Sequence, residues 1–170
     1  MSTAKTVYSA IFESHLRHCL MAYGAAFPTT LGAIENIQNS CVRKIVLANA
    51  RGSIEPLYQR AKILTLKQLY LQGMLFTFHI KDNVRQESLL STHRPTHSYN
   101  TRRGNSHNIM PPRVRLERTK RLHTHRYLQA YNILPAFIRE MRDERISTKK
   151  KAIREFVFGL TFTQLARLMA

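Results

Sequence analysis

Apolar residues recur at three- and four-residue spacing over most of this chain, lose that period between about residues 92 and 130, and recover it afterwards. The pattern predicts a first helix over residues 4–25, with Val7, Tyr8, Ile11, Phe12, His15, Leu16, Cys19, Leu20 and Tyr23 on one wide apolar face. Gly24 and Pro28 end it. Thr29 or Thr30 caps a second helix, on which Leu31, Ile34, Gln38, Cys41, Val42 and Ile45 continue the period to about Leu47. Asn49–Ser53 reads as a turn, Glu55 and Pro56 open a short helix ending near Ala61, and Thr65 with Gln68 forms a capping box for a longer helix over Leu66–Ile80. Apolar residues fall on several sides of that helix, so more than one face is expected to be buried. A further short helix fits Asn83–Leu90.

After Pro135 the period returns in Phe137, Ile138 and Met141. Ser147 caps a helix whose apolar face is Ile153, Phe156, Val157 and Leu160, and a second capping box, Thr161 with Gln164, opens a terminal segment. The fold class expected is mainly α: a bundle of antiparallel helices over 1–91, a long basic irregular arm over 92–130, and a helical segment over 131–170. At 170 residues, one domain or two small lobes fit the length.

The interruption changes the picture once charge is counted. Arg94–Arg126 holds eight Arg, one Lys and one Glu, which is +8 of the chain's formal net charge of +17. Pro95, Gly104, Pro111 and Pro112 break it, so it is expected to rest on other elements as a cationic ribbon. Within it Arg113–Leu116 and Leu122–Leu128 alternate in a way that fits one short pair of strands. A pI near 10.7 calls for a polyanionic partner. Tyr99, Tyr127 and Tyr131 interleave with the cations, a combination suited to RNA or single-stranded DNA, whose bases stack while their phosphates are neutralised. The expected contacts are Tyr99, Arg102, Arg103, Arg113, Arg115, Arg118, Lys120, Arg121 and Arg126.

Other chemistry is harder to find. Five of the eight His residues lie in or beside the arm, but it has no Cys and one acid, and the spacings match no zinc pattern. No metal or other cofactor is expected. Asp82 and Asp143 are the chain's only aspartates and lie far apart in sequence, too few for two-metal phosphoryl transfer; no Gly-x-Ser-x-Gly turn or phosphate loop occurs. No catalytic residue is expected. Cys19 and Cys41 read as small buried thiols. With no apolar run long enough to span a bilayer and no signal-peptide layout at Met1–Thr6, an intracellular location, nuclear or cytoplasmic, is expected.

Five stretches, in order, carry a family resemblance: YSAIFESHLRHCLMAYG at Tyr8–Gly24, IQNSCVRKIV at Ile37–Val46, EPLYQRAKILTLKQLYL at Glu55–Leu71, HSYNTR at His97–Arg102, and YNILP at Tyr131–Pro135. Together they resemble the region that follows the catalytic palm in reverse transcriptases of non-LTR retrotransposons, of the jockey-like or related animal lineages. The family usually has Trp-Gly where this chain has Tyr23-Gly24, and Trp-Asn where it has Tyr131-Asn132. The resemblance implies a thumb-like helical connection and a basic tail that hold RNA template and primer, in a fragment or derived product of an RNA-directed DNA polymerase. The missing upstream polymerase domains are an implied partner. The aromatic-x-Asp-Asp turn of the polymerase is absent from the sequence. A basic structural protein that docks on an acidic protein partner is the alternative reading.

Overall fold

Residues 2–49, 52–81, 83–93, 109–141 and 144–169 are described by the structure, a computed structural model. They are mainly helical, and no strand occurs among them. Two compact units divide the chain, Met1–Tyr70 and Leu71–Ala170. The boundary falls inside the helix Leu66–Phe76.

The first unit opens with the helix Ser2–Val7, continues through a π-helical turn at Tyr8–Glu13, and returns to α geometry at Ser14–Arg17. Ser14 Oγ donates back to the carbonyls of Ala10 and Ile11, at 2.6 and 2.8 Å, a local bond that competes with the helix ladder. The expected single helix then breaks. Cys19 takes a left-handed conformation, φ 53°, before the short helix Leu20–Tyr23. This break carries Cys19 out to solvent, and Cys41 is half-buried, so neither thiol is the buried packing group its helical position suggested. Val7 and Ile11 are likewise exposed, and only Tyr8, Leu16 and Leu20 of the expected face are buried.

The second helix is Pro28–Val46, with Pro28 in its first turn. Proline's fixed φ and missing N–H suit that position, so the N-cap is Phe27 rather than a threonine. Its inner face buries Leu31, Gln38, Val42, Ile45 and Val46. Gln38 is fully buried and saturated: Nε2 donates to Tyr8 Oη and to the Leu64 carbonyl, and Oε1 accepts from the Leu66 N–H, each at 2.9 Å. The last bond satisfies one of the orphan donors at the start of the helix Leu66–Phe76. Burial pushes the Tyr8 phenol up to about 12.

Glu55–Ala61 forms where the sequence places it, and Lys62 closes it in a left-handed cap. The Thr65–Gln68 capping box is present in both directions, Thr65 N–H to Gln68 Oε1 at 2.9 Å and Gln68 N–H to Thr65 Oγ1 at 3.2 Å. Arg43 staples the turn after the second helix by donating to the carbonyls of Asn49 and Gly52. At Gly24 a side chain has no room. An added Cβ would sit 2.6 Å from the Leu20 carbonyl oxygen and 2.8 Å from Tyr70 Cε2.

In the second unit Leu71, Met74 and Leu75 are buried, and the helix passes into a π-helical turn at Thr77–Lys81. Helices follow at Asn83–His93, Glu117–Lys120, His123–Ile133, Ala136–Arg139, Ile146–Gly159 and Phe162–Met169. The helix Ile146–Gly159 starts one residue before Ser147, with Arg145 as N-cap. The Thr161–Gln164 box opens the last helix as expected, with bonds of 2.9 and 3.3 Å.

The π turn sets the centre of this unit. Phe78 stacks on Tyr127 at 4.8 Å and on His123 at 5.6 Å between ring centroids. The neighbouring His79 is buried, with Nε2 2.7 Å from the Ile138 carbonyl and Nδ1 2.8 Å from Gln86 Nε2. Those partners fix a neutral imidazole with its proton on Nε2, because the carbonyl can only accept and the amide nitrogen can only donate. Burial moves its pKa below the ordinary histidine value.

Candidate nucleic-acid interface

The expected hairpin is absent: Ile109–Leu116 runs without helix or strand pairing, and Leu122–Leu128 lies almost wholly in the helix His123–Ile133. Helical winding puts His123, Tyr127 and Tyr131 at successive i,i+4 positions, so one face of the helix meets Phe78. Tyr127 is wholly buried and Tyr131 nearly so. These rings are core, and bases cannot stack on them. Arg126 is also buried on this helix, at 6% exposure, and leaves the set of expected phosphate contacts for that reason.

What remains of the arm is pinned to the helix. Ile109 is buried, and the Asn132 carboxamide grips its peptide on both sides: Ile109 N–H donates to Asn132 Oδ1, and Asn132 Nδ2 donates to the Ile109 carbonyl, each at 2.7 Å. Met110 N–H reaches the His93 carbonyl at 3.2 Å. Further along, His125 Nε2 lies 3.2 Å from the Pro112 carbonyl, which makes that nitrogen the donor. Arg139 secures the other end of the same helix by donating to the carbonyls of Asn132 and Leu134 and lying 5.2 Å over the Tyr131 ring.

Arg113 and Arg115 stand exposed on this anchored ribbon, with Val114 half-buried between them. Neither has a hydrogen-bond or ion-pair partner among the described residues. Lys120 and Arg121 are half-buried at the foot of the ribbon. Arg118 is in the helix Glu117–Lys120. Tyr99, Arg102 and Arg103 lie outside the described residues, as do Asp82 and Asp143. Among the described residues no group of His, Cys, Asp or Glu is arranged to hold a metal ion.

Two further features of this unit take shape only in the fold. The helix Ile146–Gly159 exposes Lys150, Lys151 and Arg154, with Lys150 Nζ 4.6 Å over the Phe76 ring, while Lys149 turns inward and is buried. The other is a cleft of about 510 Å³. Ile133, Phe156, Leu160 and Leu168 give it apolar walls, and Gln129, Asn132, Gln164 and Arg167 supply its polar groups. In sequence these residues occupy ordinary helical positions on three separate segments, and only tertiary packing brings them together.

Comparison with protein-family models, with curated proteins and with solved structures finds no match to this chain. Among the described residues no helix is long and apolar enough to cross a membrane.

Proposed function

We propose that this chain binds RNA or single-stranded DNA through the anchored ribbon, as a thumb-and-tail segment of a retrotransposon-type RNA-directed DNA polymerase. The observation that carries the reading is the pair Arg113 and Arg115, exposed on a ribbon held by buried Ile109 and by the Pro112 carbonyl, with no hydrogen-bond or ion-pair partner among the described residues. Cations kept out of ion pairs are available to replace the counterions of a phosphate backbone. The net charge of +17 adds a long-range field of the same sign.

On this reading the chain binds and does not catalyse, and its natural partners are a nucleic-acid strand and the polymerase domains upstream. Two of the resembling segments have structural work in the fold. Gly24 gives Tyr70 its space, and Asn132 of the YNILP segment holds the ribbon.

Fluorescence anisotropy with a labelled single-stranded oligonucleotide across a salt series tests the proposal. Neutralising about five phosphates gives a slope of log K against log salt of roughly −3 to −4, and Arg113→Glu with Arg115→Glu should lower affinity and flatten the slope by about 1.4. Unchanged affinity and slope in that double variant would move the interface off the ribbon. If no oligonucleotide binds at low salt while an acidic polypeptide does, the chain is a protein-docking module instead.

A further inference from the structure

We infer that the cleft between the helices His123–Ile133, Ile146–Gly159 and Phe162–Met169 receives one unpaired nucleobase of a bound single strand. The inference rests on the nucleic-acid reading and adds the place where a base, rather than a phosphate, is held.

The walls and the polar groups of the cleft ask for different parts of one ligand. Phe156 is half-buried and lines the cleft together with Leu160, Leu168 and Ile133. Base–aromatic stacking of this kind is favourable for every base and needs no particular sequence. The polar groups at the cleft are carboxamides. Gln129 has no hydrogen-bond partner among the described residues, and Gln164 spends its Oε1 on capping Thr161, which leaves its Nε2 for a ligand. A carboxamide presents a donor and an acceptor side by side, matching the paired donors and acceptors along a base edge. An acyl chain would gain nothing from them.

Arg167 supplies the charge. It is exposed, has no partner among the described residues, and lines the cleft, so it can meet the phosphate attached to a seated base. The cleft's volume, about 510 Å³, is in the range of small-ligand sites. Its position completes the argument. Asn132 lines the cleft and is also the side chain that grips Ile109, four residues before the exposed Arg113. A strand tracking Arg113 and Arg115 therefore passes beside the cleft mouth and can turn one base into it.

The test compares a single-stranded RNA oligomer with an abasic oligomer of equal length and charge, at one salt concentration, using the full chain. The base-bearing oligomer should bind about fivefold tighter or more. Gln129→Ala and Phe156→Leu should each shrink that advantage while leaving the abasic affinity and the salt slope unchanged, whereas Arg113→Glu with Arg115→Glu should weaken both oligomers alike. Circular dichroism checks that each variant is folded; Gln129→Glu, which keeps the side chain's shape and repels the strand's phosphates and acceptor edges, serves if Phe156→Leu does not fold. Equal affinity for the two oligomers, or an advantage untouched by both Gln129 variants, overturns the cleft and leaves the ribbon reading standing. No binding of either oligomer at low salt overturns both. Binding of a fluorescent fatty acid that RNA does not displace makes the cleft a lipid site and sinks the proposal.

Discussion

Asn132 binds the backbone of Ile109 as a neighbouring strand would, donating to its carbonyl and accepting from its N–H at 2.7 Å each. One carboxamide thereby ties a segment with no secondary structure to the end of a helix. Asn132→Ala should leave both peptide groups of a buried residue without partners, at a cost of about 1–3 kcal/mol. The loss should be local: faster hydrogen exchange at Ile109 and earlier proteolytic cleavage of the ribbon, with a smaller change at Tyr127. Uniform destabilisation of the whole unit would show that the bond anchors the core and not the ribbon.

Gln38 plays a comparable part in the first unit, with three bonds to Tyr8, Leu64 and Leu66 and no exposure. Gln38→Met keeps the volume but strands the Leu66 N–H and the Leu64 carbonyl, and should cost about 3 kcal/mol. Tyr8→Phe removes one partner only and should cost about 1 kcal/mol. Chemical denaturation of the two variants gives the comparison, and equal losses would mean that the Tyr8 bond, not the helix-start bond, dominates.

Gly24→Ala should destabilise by about 1–3 kcal/mol through overpacking, since the new methyl meets the Leu20 carbonyl and the buried Tyr70 ring. Gly24 has φ −64°, so backbone strain plays no part. Gly52→Ala, where nothing lies within 4 Å, is the control and should leave stability near the parent's. A melting temperature for Gly24→Ala equal to that of the control would refute the contact.

The second unit should lose stability in mild acid. Burial lowers the pKa of His79, and burial with the nearby Arg85 lowers that of His123, from an ordinary value of 6.5. The unfolded chain therefore takes up protons first: the contribution is complete above about 6.5 and falls as the pH drops through it towards the folded values. Thermal melts between pH 7.5 and 5 should show this decline, and His79→Gln should show a shallower one. Parallel declines in parent and variant would assign the acid sensitivity to other groups.

Local signals in the sequence were reliable where a few neighbouring residues decide the outcome. Both capping boxes and the helix Glu55–Ala61 form as written, because a Thr and a Gln three residues apart need nothing beyond their own turn. Periodicity failed where tertiary contact decides. Val7 and Ile11 share the helical period of Tyr8 and Leu16 but are exposed, because the π-helical turn at Tyr8–Glu13 and the left-handed Cys19 keep the segment from holding one regular face. The residues around His123 admit two periods, alternation by twos and aromatic recurrence by fours. The second was the informative one, since His123, Tyr127 and Tyr131 together mark a helix face and account for burial of Tyr127. Charge density located the ribbon but could not separate Arg113 and Arg115 from Arg126, whose exposure depends on the winding of that helix.

The bond from Met110 to the His93 carbonyl makes the chain return to the point it left. The helix Asn83–His93 and the ribbon are thus held together by their own contacts. Each doubling of a flexible connection costs only about 0.6 kcal/mol. The junction at His93 and Met110 is therefore a natural place for an insertion, with the packing around Phe78 kept.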